Sequence, residues 1–292
     1  MKFLDVKTDF AFKKVFGSAD SKDLLISFLN AVIDFAKQQK ITDLTIVDPY
    51  NIPMLKGMKD TFVDVKAELD DGSRVIIEMQ VLNHEGFEKR VLYNAAKNYS
   101  IQLAQGEAYH LLNPVIALTL TDFILFNDSP ALKSHFKLLE KKNFIEYSDD
   151  IELIFIELPK FTKTEAELTT IQDKWLYFIK HAGDLDYIPH NLEQELEKAF
   201  NIANEANLTA EELELQHKKR DWMYIQKSSI ELATKTGLEQ GLEQGLEQGL
   251  AQGKQEEKQT IARALLDVLD DATIAAKTGL SEQQVRALRN GL

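Results

Sequence analysis

In the first third of the chain, apolar residues recur at every second position through two short runs. Val63, Val65, Ala67 and Leu69 mark the run Thr61 to Leu69, and Val75, Ile77, Met79 and Val81 mark the run Arg74 to Val81. A period of two is that of a β-strand, and the polar Asp70-Asp71-Gly72-Ser73 between the runs reads as a turn, so the stretch predicts a β-hairpin. Both apolar sets reach one core in only one register, because a one-residue slip turns a whole set towards water. A three-residue loop, Asp70 to Gly72 with Gly72 at positive φ, meets that condition and pairs Leu69 with Ser73. Continued along the ladder, this register sets Lys66 opposite Ile76, Asp64 opposite Glu78 and Phe62 opposite Gln80. Two carboxylates and an amide then share the face away from the core, either as a solvated sheet face or as a chemical site.

Before the hairpin the apolar spacing becomes helical. Residues Thr8 to Gly17 predict a short helix with Phe10, Ala11, Val15 and Phe16 as its apolar positions, Thr8 or Asp9 as cap and Gly17 as stop. Asp9 and Lys13 lie four apart on one face of it, the spacing of an ordinary ion pair. A second helix is expected from Ser21 to Gln39, then a short strand from Leu44 to Val47 and a loop through Pro53 and Gly57. After the hairpin a helix is expected from Phe87 to about Gln105, ended by Gly106. It has an apolar face of Val91, Ala95 and Ile101, and a second face of Arg90, Tyr93, Asn94 and Lys97. That second face reads equally as solvated surface or as a contact for phosphates. Val115 to Phe126 and Ile151 to Leu158 are apolar β-runs, with a helical piece expected between them from Pro130 to Lys141. The resulting order predicts an α/β domain over residues 1–160, a mixed β-sheet flanked by helices.

From 161 to 232 the pattern is helical and charged and predicts a helical region packed on that core. Residues 233–254 contain a repeat of Gly-Leu-Glu-Gln, beginning at Gly237, Gly241 and Gly245 and continuing as Gly249-Leu250-Ala251-Gln252. A period of four moves each identical residue about 40° around a helix per repeat, and each interior glycine costs about 1 kcal/mol relative to alanine. A helical linker of adjustable length is the favoured reading, with pairing to another chain as the other. Residues 255–292 read as a helix-turn-helix-like unit, with Gly279 at the turn and Ser281 and Gln284 forming a capping box. From Lys254 to Leu292 its acids and cations are equal in number, six of each, so self-association or partner binding is favoured over reading DNA.

Composition narrows the chemistry. A hydrophobic share of 44% supports a real core. There is no run of about 18 apolar residues and no apolar leader at the amino terminus, which leads us to expect a cytoplasmic protein with no membrane contact. Cysteine is absent and the six histidines are scattered, so any metal is expected to be a hard cation on carboxylates, Mg²⁺ or Mn²⁺. The net charge of −13 opposes indiscriminate binding to nucleic acid, while leaving room for a local cleft in which metal ions and a few cations offset the acids.

The pattern Asp64…Glu78-Met79-Gln80 on a hairpin resembles the PD-(D/E)XK nuclease superfamily, and more narrowly its recombination-promoting nuclease and transposase family in bacteria. Asp9-Phe10-Ala11-Phe12-Lys13-Lys14-Val15-Phe16-Gly17, Phe28-Leu29-Asn30, Ile77-Glu78-Met79-Gln80, Arg90 with Tyr93 and the Gly-Leu-Glu-Gln tail carry the resemblance. It implies a restriction-endonuclease-like core and a Mg²⁺- or Mn²⁺-dependent DNA endonuclease acting in recombination, mobile elements or phage defence. Asp64, Glu78 and Gln80 would be the catalytic set, with Asp64, Glu78 and Asp9 as metal ligands. Arg90, Tyr93, Lys97, Lys13 and Lys66 would be the candidate DNA contacts. Gln80 stands where the family usually has lysine, and Val63 precedes Asp64 where the superfamily has proline; Lys66 or Lys13 could supply the missing charge. The alternative is a catalytically silent DNA-binding or assembly protein on the same fold, in either case with a homo-oligomer, a dimer, expected through the repeat and tail helices.

Overall fold

The computed structural model describes residues 1–35, 40–51 and 61–291. Eight strands occur among them: β1 (Leu44–Val47), β2 (Tyr50–Asn51), β3 (Thr61–Phe62), β4 (Val65–Leu69), β5 (Arg74–Gln80), β6 (Val115–Thr121), β7 (Lys133–Leu139) and β8 (Glu146–Glu157). The helices are α1 (Asp9–Phe16), α2 (Lys22–Val32), α3 (Phe87–Ser100), α4 (Ile171–His181), α5 (Gln194–Ala203), α6 (Ala210–Leu265), α7 (Asp271–Thr278) and α8 (Glu282–Arg289). Pro53 and Gly57 lie outside the described residues, and α2 stops at Val32, where Ile33 is extended, short of the Gln39 expected from the sequence.

Six strands make one mixed sheet in the order β1-β4-β5-β6-β8-β7, while β2 and β3 pair separately. The hairpin adopts the register that the alternation requires: Val65 pairs with Ile77, Lys66 with Ile76 and Ala67 with Val75. Leu69 N–H donates to Ser73 O at 2.8 Å, and Gly72 sits at φ 85° inside the loop. An L side chain there would be strained, and its Cβ would come within 2.8 Å of Asn113 Oδ1. β5 then runs parallel to β6 through the crossover helix α3, and β6 runs parallel to β8.

The sheet is covered on both faces. Val65, Ala67, Leu69, Val75, Ile77 and Met79 join residues of α1, α2, α4 and α5 in the main core. Phe16 packs on Phe28 and Trp175 with ring centroids 5.0 and 5.6 Å apart, and Trp175 Nε1–H donates to Ser27 Oγ at 3.1 Å. Ile76 points the other way, into a smaller core with Phe87, Val91 and Ala95 of α3.

Three local expectations change. Val63 belongs to the α3-side core rather than to the main one, because the chain bends at Asp64 before β4 begins. Phe62 pairs with Tyr50, not with Gln80. The segment Pro130 to Lys141, expected as a helix, contains the edge strand β7, whose backbone is satisfied by antiparallel pairing to β8 with register shifts after Phe136 and Leu138. Its neighbour, the irregular loop after β6, is tied down by a buried carboxylate. Glu157 Oε1 accepts the N–H groups of Leu125 and Phe126 at 2.6 and 3.0 Å, and Lys160 pairs with its other oxygen at 2.5 Å.

The chain forms two compact units, Met1–Tyr224 and Ile225–Leu292. The first holds the sheet and also α4 and α5. In the second, Ala262, Ile274, Leu280 and Val285 form a small core of their own. Gly279 turns α7 into α8 at φ 69°, and Ser281 with Gln284 makes the capping box. The repeat lies within α6, and its Leu238, Leu242, Leu246 and Leu250 are exposed.

Candidate active site

Residues of α1, the bend before β4, β5 and α3 meet near one end of the hairpin. Thr8 caps α1 by accepting the Ala11 N–H at 3.2 Å, which sets Asp9 in the first turn, where the helix dipole favours a negative charge. Lys13 follows one turn later. Its Nζ lies 2.6 Å from Asp9 Oδ1 and 3.4 Å from Asp64 Oδ1, so one ammonium bridges two carboxylates.

Asp64 is held at the point where the chain leaves the ladder. Its N–H donates to Ile77 O at 3.0 Å, and its Oδ2 accepts the Met79 N–H at 2.7 Å. The side chain is 12% exposed. Burial pushes the Asp64 carboxyl up to about 7, and its hydrogen bond with Asp9 adds to the rise. Asp9 is half-exposed; its partial burial raises it, but its hydrogen bonds with Asp64, Lys13 and Lys219 win and hold it below the ordinary carboxylate range. Two acids this close oppose each other's ionisation, and the shifts run in opposite directions, Asp9 down and Asp64 up.

Glu78 and Gln80 belong to the α3 side. Arg90 Nη2 pairs with Glu78 Oε1 and donates to Gln80 Oε1 at 2.7 Å. Gln80 spends its own donor on Leu82 O at 2.8 Å. Burial raises Glu78, while Arg90, His84 and Lys13 pull it back down. The bend thus draws Asp64 to α1 while β5 presents Glu78 to α3. Asp64 and Glu78 do not continue as a regular cross-strand pair, because β4 starts one residue later.

Among the described residues, no three acidic or histidine side chains gather as a ready metal-binding group. The donor chemistry nonetheless fits a hard cation. Two carboxylates lie close enough for one ammonium to bridge them and for each to oppose the other's charge, the repulsion that a divalent ion relieves. Asp9 and Asp64 are therefore the side chains fitted to hold it, and Glu78 is engaged by Arg90.

Of the five residues expected to meet DNA, Lys13, Arg90 and Tyr93 are partly exposed. Lys66 and Lys97 are buried, at 9% and 4% exposure, and burial lowers the Lys66 ammonium below its usual value. Side chains that sequence reasoning missed are on α6. Glu212 pairs with Lys14 at 2.6 Å, Gln216 accepts the Thr8 hydroxyl at 3.0 Å, and Lys219 reaches Asp9 Oδ2 at 3.0 Å. Their spacing marks one helix face, but nothing local names a partner some 200 positions away in sequence.

Among the described residues, no helix is long and apolar enough to cross a membrane. Neither a curated protein nor a solved structure matches the chain. A family model does, over residues 6–233, a span that takes in α1, the hairpin, the whole mixed sheet and α3 to α5. The chain belongs to the family described as PD-(D/E)XK nuclease family transposase.

Proposed function

We propose that this protein is a divalent-cation-dependent DNA endonuclease that hydrolyses phosphodiester bonds in the cytoplasm, in recombination, mobile-element or defence reactions. The observation that carries the reading is the Asp9–Asp64 pair bridged by Lys13. Bound there, Mg²⁺ or Mn²⁺ would polarise the phosphoryl oxygen and make hydroxide available from water near neutral pH. Asp9 and Asp64 would hold the ion. Lys13 brings to the site the positive charge that Gln80 lacks, and can steady a phosphate oxygen or the attacking hydroxide. Gln80 and Glu78 fix the Arg90 guanidinium at the α3 edge of the site. Arg90 and Tyr93 offer contacts for the DNA backbone, the guanidinium through its forked donors.

Plasmid nicking with Mg²⁺ or Mn²⁺ tests this, with nicking expected from the wild type and lost in Asp64→Ala. Equal cleavage by that variant sinks the assigned site. The second reading, a silent DNA-binding protein, is favoured by Gln80 replacing the usual lysine; DNA binding without cleavage under all divalent ions would establish it. The repeat is proposed as a helical linker that also supports a homodimer, a role suited to its exposed leucines. Removing residues 237–292 should then reduce the solution mass to that of a monomer.

A further inference from the structure

Asp9 has both carboxylate oxygens taken by ammonium groups. Lys13 holds Oδ1 at 2.6 Å from within α1, and Lys219 holds Oδ2 at 3.0 Å from α6. We propose that Lys219 is a resident counter-cation that a divalent ion must displace, so that the start of α6 sets how tightly the site takes its metal. This rests on the reading of Asp9 and Asp64 as the ion's ligands.

The Lys219 contact is built into the docking of the helix. Glu212, Gln216 and Lys219 follow one another on a single α6 face and meet Lys14, Thr8 and Asp9 in turn. Gln216 is 2% exposed, so the middle of this face is sealed against α1. Thr209 fixes the first of the three by donating its N–H to Glu212 Oε2 at 2.9 Å. Lys219 therefore approaches Asp9 from a helix whose register is set by the contacts of Glu212 with Lys14 and of Gln216 with Thr8.

Of the two ammonium groups, Lys219 is the one fitted to leave. Lys13 is shared between Asp9 and Asp64 at 2.6 and 3.4 Å, whereas Lys219 reaches Asp9 from a separate helix, and its side chain is 38% exposed, close to the 40% of Lys13. A long flexible stem lets its charge move into water without disturbing Gln216 or Glu212. Lys13 stays beside the carboxylates when Lys219 swings out. The device makes a partly solvated cation compete with the metal for one oxygen.

The magnitude follows from exposure. An ion pair between groups this accessible is worth at most about 1 kcal/mol, so removing Lys219 should tighten metal binding about two- to fivefold. The measurement is Mn²⁺ binding to the full chain, followed by electron paramagnetic resonance of the free ion, with Asp64→Asn marking the site. Lys219→Met should bind more tightly than wild type, Lys219→Glu more tightly still, and Lys219→Arg about the same as wild type. The differences should shrink as salt rises. Equal affinity across the series, or weaker binding in Lys219→Met, overturns the counter-cation while leaving the metal site standing. Absence of Asp64-dependent Mn²⁺ binding in every protein overturns the site and the counter-cation together. Thermal melts of each variant separate these results from a loss of folding, and because Lys219→Glu and Lys219→Met act through charge at one exposed position, either alone decides the question.

Discussion

Arg90 joins Glu78 and Gln80, and replacing it by methionine keeps most of the side chain's volume while deleting the charge. Glu78 is then left 12% exposed without its direct partner. Breaking a fully buried pair by removing one member costs about 3–5 kcal/mol, and a surface pair costs about 0–1 kcal/mol. Arg90 itself is 35% exposed, which places Arg90→Met between these limits, at about 2 kcal/mol at pH 8. The pH dependence is the diagnostic part. Burial already holds Glu78 above its ordinary 4.5, with Arg90 pulling against it; without Arg90 the native carboxyl rises further. The native state then binds a proton that the unfolded chain releases, so the cost is full above the raised native value and fades as pH falls towards 4.5. Urea unfolding at pH 8 and pH 5, read by tryptophan fluorescence, should show the larger loss at pH 8. Glu78→Gln added to Arg90→Met should recover most of it. An equal loss at both pH values, or a double variant no better than the single one, would refute the assignment of Arg90 as the counter-charge of Glu78.

Asp64 offers a second titration. Its native carboxyl is raised from 3.8 to about 7 by burial and by Asp9, so the native state binds more protons across that window and wild-type stability should fall as pH rises through it. Asp64→Asn should flatten that fall in a series of thermal melts, and an unchanged slope would point to another group. Gly72→Ala should cost about 1–2 kcal/mol from its left-handed backbone alone, with the contact to Asn113 adding to it; a neutral result in urea titration would contradict the loop geometry. Trp175→Ala empties a fully buried site beside Phe16, Phe28 and Phe178 and should cost about 3–5 kcal/mol in the same assay.

The hairpin was legible because its two constraints are local: apolar residues with a period of two, and a turn with glycine where φ must be positive. β6 and β8 were legible as apolar runs, although their parallel pairing and their order in the sheet were not. The bend at Asp64 was hidden. It depends on the Met79 N–H that donates to the carboxylate and on the β2–β3 pairing that takes Phe62 away, neither of which alternation records. The family motif named Asp9, Asp64, Glu78 and Gln80, but not the division of those residues between α1 and α3. β7 was misread because short apolar stretches fit helix and strand alike, and only its pairing with β8 decides. Lys219 was invisible for a different reason: a side chain of ordinary surface type becomes part of the site only when α6 docks on α1.

The clasp at Glu157 bears on how the protein opens from moment to moment. Leu125 and Phe126 sit in an irregular loop, where amide hydrogens ordinarily trade with deuterium almost as fast as in a free peptide. Here both amides end on one buried carboxylate, and Lys160 ties that carboxylate to the loop a second time through Phe126 O and Ser129 O at 2.9 and 2.7 Å. Their exchange should therefore keep pace with the strand amides of β6 and β8, and the segment after β6 behaves as a fixed wall of the domain that opens only when the sheet does.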